Sequence, residues 1–141
     1  MVENRLRWLM MRPFLGYLLA GVRLGGRCRR MAYESLGDFR LSRPASSDID
    51  RKLEKHIDLR NGFFVDAGAN DGYLQSNTYY LEKAKGWRGI LIEPIPELCR
   101  LCRAQRKRSV VVQAALVDKS FSDATVLVHY FNTMSYADGA F

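Results

Sequence analysis

The sequence predicts an α/β fold in which a parallel sheet carries helices on its faces. Short apolar runs alternate along the chain with segments of helical periodicity. A glycine-rich turn joins the first apolar run, residues 63–67, to the helix that follows it. Alternating strands and helices imply right-handed crossovers, which place successive strands side by side and parallel. With 141 residues and 48% apolar content, the chain is long enough to form a domain with a hydrophobic core.

The positive charge is concentrated at the N-terminus. The net charge is +7, but residues 1–43 hold nine arginines against three acids, whereas residues 44–141 hold thirteen bases against twelve acids. A nucleic-acid-binding domain needs a basic face. Residues 44–141 are nearly neutral and do not supply one, so no nucleic-acid partner is expected. We predict a basic and apolar leader and linker over residues 1–47 and the folded domain over residues 48–141.

The leader contains the apolar segment WLMMRPFLGYLLAGV, residues 8–22. Its uninterrupted part, residues 13–22, has about ten residues, whereas a membrane-spanning helix needs about twenty. Flanking arginines and the lack of an A-x-A-like cleavage site disfavour a signal peptide. The segment fits better as a helix that contacts a membrane surface peripherally, or as one that packs on a missing part of the protein. The odd count of three cysteines suits a reducing compartment, so we predict a cytoplasmic protein.

The cysteines do not form a metal-binding pattern. Cys99 and Cys102 make a CxxC, but Cys28, His56 and His129 are scattered and do not complete a zinc site. Because the pair lies one turn apart on a predicted helix, we interpret it as small, buried apolar residues and predict no metal.

The first predicted helix of the domain begins at Ser46 or Ser47. Ser47-x-x-Asp50 resembles a capping box. The helix ends at Asn61-Gly62, ahead of a buried strand over residues 63–67. Its apolar positions recur every four residues at Ile49, Leu53 and Ile57.

The second predicted helix follows the glycine-rich turn and stops at Gly86, before a second buried strand over residues 89–93. Its periodic positions are Leu74, Thr78, Leu81 and Ala84. Pro96 fits the first turn of a third helix. A basic run suits the dipole at the C-terminal end of that helix and comprises Arg103, Arg106, Lys107 and Arg108. A third strand is predicted over residues 110–116 and a fourth, antiparallel one over residues 125–131.

The stretch VDAGANDG, residues 65–72, has the composition of a ligand-binding loop. A glycine-rich turn between a strand and its helix directs backbone N–H groups towards a ligand at the carboxyl end of a sheet. Gly68 and Gly72 permit positive φ and close approach, and Asn70 tolerates a left-handed conformation. A tight turn that binds nothing is the alternative.

Acidic residues around this loop favour S-adenosylmethionine as the cofactor. Glu93 lies twenty-one residues after Gly72, where an acid can bind both hydroxyls of a ribose. Asp66 would repel the pyrophosphate of a dinucleotide, whereas S-adenosylmethionine carries a cationic sulfonium and an α-ammonium. Asp66, Asp71 and Glu93 suit that charge. The loop reads G-x-N-x-G, not G-x-G-x-x-G, which also disfavours a NAD-type oxidoreductase, the alternative within this fold.

The segment FVDAGANDGYLQSNTYYLEKAKGWRGILIEPIPEL, residues 64–98, resembles the FkbM family of S-adenosylmethionine-dependent methyltransferases. The resemblance continues more loosely through VVVQAALVDKS and covers about residues 48–131. It implies a Rossmann-like class I methyltransferase fold with strand order 3-2-1 in this part of the sheet. It also implies O-methylation of a sugar or other small-metabolite hydroxyl.

The resemblance also implies a set of cofactor-binding positions. The first motif of the family matches Asp66, Gly68, Asn70 and Gly72, and its ribose-binding acid matches Glu93. Ala114 and Ala115 fall where the adenine edge is framed, and Asp118 is either an adenine partner or a turn residue. Ser76 and Asn77 face either the methionine end of the cofactor or solvent.

The chain departs from the family by stopping just after the fourth predicted strand. The resemblance therefore implies a missing C-terminal half that would carry the acceptor pocket and any catalytic base, so no catalytic residue is assigned. A non-catalytic fragment that binds a cofactor or a partner is a further alternative. Because the first strand would lack one neighbour, we expect the 141-residue chain alone to be poorly soluble or oligomeric and to transfer no methyl group.

Overall fold

The computed structural model describes residues 25–122 and 125–129 and the backbone of residues 136–137. The chain divides into two compact units, Met1–Leu41 and Ser42–Phe141. In the first unit, residues 25–35 form helix α1, within the predicted leader and linker. The apolar segment of residues 8–22 lies outside the described residues.

The second unit has the predicted α/β architecture. After a 3-10 turn at Ser46–Asp48, its elements are α2 (Ile49–Glu54), β1 (Phe63–Ala67), α3 (Tyr79–Ala84), β2 (Arg88–Ile92), α4 (Pro96–Gln105), β3 (Val110–Val112), β4 (Val128–His129) and β5 (Tyr136–Ala137). Strands β1, β2 and β3 form a parallel sheet in that order, which confirms the predicted strand order. Strands β4 and β5 pair antiparallel with each other, so the predicted fourth strand exists, and its described part begins at Val128 and not at Thr125.

One face of the three-stranded sheet forms the core. Phe64 on β1 and Leu91 on β2 are buried there with Leu81, Trp87 and Cys102. Cys99 and Cys102 are both 0% exposed, which confirms their interpretation as buried residues. Burial raises the pKa of the Cys102 thiol to about 12.

The opposite face of the sheet is apolar and exposed, contrary to the prediction that residues 63–67 are buried throughout. Register places Val65 beside Ile90 and Ile90 beside Val110, so these three side chains share that face. Phe63 and Val65 are 64% and 63% exposed, while Phe64 between them is 8% exposed. A continuous apolar run does not show which of its two faces is covered.

Helices α2 and α3 begin differently from their predictions. Ser47 has φ 54° and makes no capping bond, so the predicted capping box is wrong, and α2 ends at Glu54. Helix α3 starts at Tyr79 and not near Leu74, because side chains bind the backbone of residues 73–79 in place of a helical pattern. Gly86, at φ +78°, follows the end of α3 as predicted. Strand β3 also stops early, at Val112.

Candidate cofactor-binding site

The loop that follows β1 is fixed at the carboxyl end of the sheet. The N–H groups of Gly68 and Ala69 donate to the carbonyl oxygen of Ile92 over 2.9 and 3.1 Å, so the loop stays beside the end of β2. Gly68, Asn70 and Gly72 have φ of +74°, +51° and +84°. The left-handed conformations expected of this loop are therefore confirmed, and these are positions where bulky side chains are strained.

The two glycines of the loop face different surroundings. A Cβ on Gly68 would meet no atom within 4 Å, so bare backbone borders open space there. A Cβ on Gly72 would lie 2.9 Å from Cγ of Arg106 and 3.1 Å from Cα of Cys102. Gly72 therefore allows the loop to pack directly on α4, and only Gly68 leaves room for a ligand.

Glu93 lies against the loop, as predicted. Its Oε2 accepts the N–H of Asn70 at 2.8 Å, and its Oε1 accepts the N–H of Ile95 at 2.9 Å. The side chain is 5% exposed and joins the loop to the start of α4. A carboxylate has about four acceptor positions, so each oxygen of Glu93 retains one.

A cavity of about 150 Å³ opens between the loop and the segment that precedes α3. Its lining contains Asp66, Ala67, Gly68, Ala69, Asn70, Leu74, Gln75, Ser76 and Asn77. No lysine or arginine is among these residues, and the half-buried Asp66 brings the only carboxylate. The cavity therefore favours a polar ligand with positive charge.

Arg106 binds residues on both segments next to this cavity, and the sequence analysis did not predict this role. The side chains of Arg106 and Glu82 are both 0% exposed, and Nε of Arg106 lies 3.0 Å from Oε2 of Glu82. The guanidinium also donates to the carbonyl oxygen of Gly72 (3.2 Å), to Oγ of Ser76 (3.1 Å) and to Oγ1 of Thr78 (3.0 Å). Arg106 lies at the C-terminal end of α4, as predicted, but its buried hydrogen-bond network was not predicted.

A family model described as the methyltransferase FkbM domain matches residues 66–140. The chain belongs to the FkbM methyltransferase family. The match begins at Asp66 and includes all eight positions predicted to bind the cofactor. No curated protein and no solved structure matches the chain.

Membership in the FkbM family accords with the three-stranded parallel sheet and flanking helices, which form a Rossmann-like methyltransferase fold. It indicates a methyltransferase and, in general, a methyl donor as cofactor. Across the described residues, no helix combines the length and apolar character that a membrane span requires.

The remaining predicted positions of this FkbM domain lie outside the cavity. Ala114 and Ala115 are half-buried in the segment after β3. Asp118 is exposed, and its Oδ1 accepts the N–H of Ser120 at 2.8 Å and the hydroxyl of Ser120 at 2.6 Å. These bonds lower the pKa of Asp118 and make it the organising residue of a turn.

Proposed function

We propose that the chain binds the cofactor of an S-adenosylmethionine-dependent methyltransferase, with the cofactor bound at the loop after β1. The main support for this proposal is the negative charge at the site. The Asp66 carboxylate lines the cavity beside the open backbone of Gly68, and the Glu93 carboxylate supports the same loop through Asn70. S-adenosylmethionine is cationic at its sulfonium and its α-ammonium and therefore suits two carboxylates.

The dimensions of the cavity fit one end of the cofactor. Pockets that enclose a whole small molecule have volumes of about 300–1,000 Å³, whereas this cavity measures about 150 Å³. We assign it to the methionine end, with the α-ammonium at Asp66 and polar contacts from Ser76 and Asn77. The ribose hydroxyls would use the remaining acceptor positions of Glu93.

The adenine end of the cofactor is assigned by position in the family motif. Ala114 and Ala115 follow β3, whose last residue, Val112, pairs with Ile92 directly before Glu93. They would therefore frame the adenine on the side of the site beyond the ribose. In this proposal Asp118 contacts the adenine through Oδ2, because both bonds from Ser120 end on Oδ1.

The bound cofactor would supply a methyl group on a positively charged sulfur. Transfer of that methyl group to an acceptor oxygen would leave the cofactor as a neutral thioether, and the acceptor proton would pass to a base. The described residues provide binding and orientation of the donor, which is the main protein contribution to such a transfer. We propose a hydroxyl of a sugar or other small metabolite as the acceptor, by resemblance to the family.

Isothermal titration calorimetry tests the cofactor assignment. We expect S-adenosylmethionine and S-adenosylhomocysteine to bind the chain and NAD to bind far more weakly, because Asp66 repels a pyrophosphate. Asp66→Asn should weaken S-adenosylmethionine binding by roughly 1–3 kcal/mol, since one charge-assisted contact is lost. Asp58→Asn, an exposed position outside the cavity, is the matched control and should bind like the original chain.

Two results would speak against this assignment. Tighter binding of NAD than of S-adenosylmethionine would favour the oxidoreductase alternative. Binding of neither ligand would favour a fragment whose loop serves only to fold or to contact a partner.

A further inference from the structure

The buried Arg106 is connected to Asp66 through one hydroxyl group. Nη2 of Arg106 donates to Oγ1 of Thr78 at 3.0 Å, and that hydroxyl donates to Oδ2 of Asp66 at 2.5 Å. A guanidinium can only donate, so the Thr78 oxygen accepts from it and directs its own hydrogen to another acceptor. The Oγ of Ser76 lies farther from this hydroxyl, at 3.4 Å, so Asp66 is the favoured acceptor.

The same guanidinium binds both segments between which the cavity opens. Through Nη1 it holds the carbonyl oxygen of Gly72, at the end of the loop, and Oγ of Ser76, on the opposite wall. Its own position is set by Oε2 of Glu82, which also accepts the hydroxyl of Ser109 at 2.5 Å. Arg106 is 1% exposed and does not line the cavity, so it acts on a ligand only through these neighbours.

We infer that Arg106 is a positioning residue and that Thr78 is the contact through which it orients Asp66. With Oδ2 held by Thr78, the carboxylate of Asp66 turns its other oxygen, Oδ1, to the α-ammonium of the cofactor. This inference rests on the proposed function. It adds that the Asp66 carboxylate has a fixed orientation, which makes the site selective for the amino-acid end of the ligand. A carboxylate without this restraint would adopt several orientations in the free protein. It would lose that freedom on binding and would therefore bind the ammonium less tightly.

The test compares two ligands that differ at the amino-acid end. S-adenosylhomocysteine carries the α-ammonium, whereas 5′-methylthioadenosine keeps the adenosine and the thioether but lacks the amino-acid group. Thr78→Val removes the hydroxyl with little change of shape. We expect it to weaken S-adenosylhomocysteine binding about tenfold and to change 5′-methylthioadenosine binding by less than about twofold.

Conservative variants separate positioning from a purely structural role. Thr78→Ser keeps the hydroxyl and should restore S-adenosylhomocysteine binding, whereas Arg106→Lys loses the forked geometry and should show the ligand selectivity of Thr78→Val. Thr125→Val, an exposed threonine in the segment before β4, is the matched control and should leave both affinities unchanged. Equal losses of both ligands in Thr78→Val would overturn the inference while leaving the proposed function intact.

One comparison of two ligands uses only the original chain, so it tests the inference even if Thr78→Val fails to fold. The original chain should bind S-adenosylhomocysteine about tenfold more tightly than an analogue that lacks only the α-amino group. Equal affinities would show that no carboxylate meets the ammonium, which overturns the inference but not cofactor binding. Absence of binding by all these ligands would instead contradict the proposed function itself.

Discussion

Replacing Arg106 by methionine is expected to lower the free energy of unfolding by about 3–5 kcal/mol, because it leaves the Glu82 carboxylate buried without its counter-ion. Glu82 is 0% exposed, and Oε1 of this side chain has no hydrogen-bond partner within the described part of the chain. The loss also frees three acceptors that Arg106 binds, on Gly72, Ser76 and Thr78. Urea unfolding followed by circular dichroism measures the change.

Two further variants make this experiment specific to the buried pair. Arg108→Met changes an exposed arginine two residues away and should alter the free energy of unfolding by less than about 0.5 kcal/mol. The double variant Glu82→Gln with Arg106→Met removes both charges and should recover at least half of the loss, roughly 2 kcal/mol, since the buried unpaired charge is gone. A double variant no more stable than Arg106→Met would contradict this explanation.

Gly72→Ala is expected to reduce stability by about 2–5 kcal/mol, from two causes that add. A non-glycine residue at φ +84° costs about 1–2 kcal/mol, and forcing a methyl group into a packed contact costs about 1–3 kcal/mol more. The contact cannot relax easily, because the new Cβ would lie 3.1 Å from the backbone of Cys102 and 3.0 Å from its sulfur.

Gly68→Ala is the matched control for Gly72→Ala. Gly68 has a similar φ of +74°, but a Cβ there meets nothing within 4 Å. The Gly68→Ala variant should therefore lose only the conformational contribution to the free energy of unfolding, about 1–2 kcal/mol. Thermal or urea unfolding of both variants isolates the packing of the loop on α4, and equal losses at the two positions would show that this packing contributes nothing.

The parallel sheet and the loop could be predicted because their signals are local. Apolar runs separated by helical periodicity define the parallel sheet, and a left-handed backbone is expected where Gly68, Asn70 and Gly72 alternate with other residues. The place of Glu93 beside the loop also followed, because the carboxyl ends of neighbouring parallel strands meet at one edge of a sheet.

Helix starts were less predictable, because side-chain bonds to the backbone compete with helical bonds. Oδ1 of Asp71 accepts the N–H groups of Tyr73 and Leu74, and Oγ of Ser76 accepts the N–H of Tyr79. These bonds stabilise turns over the segment where apolar spacing alone predicted a helix. The same spacing therefore described α3 correctly only from Tyr79 onwards.

Arg106 was missed because its partners lie on other elements of the fold. In the sequence it sits within a basic run that suits a helix C-terminus, which is a sufficient explanation without any buried contact. One signal could have identified it: Arg106, directly after α4, follows Cys99 by seven residues and Cys102 by four, which aligns it with the buried face of that helix. An arginine on a buried face implies a buried acceptor, and Glu82 is that acceptor.

We expect the loop and cavity after β1 to bind S-adenosylmethionine through its α-ammonium group. Hydrogen–deuterium exchange, read by mass spectrometry with S-adenosylhomocysteine and with NAD, tests this claim at the site itself. We predict that S-adenosylhomocysteine slows amide exchange in peptides covering residues 66–77 and leaves those covering α2 unchanged, while NAD slows neither. Protection of residues 66–77 by NAD but not by S-adenosylhomocysteine, or protection by S-adenosylhomocysteine only elsewhere in the chain, would contradict it.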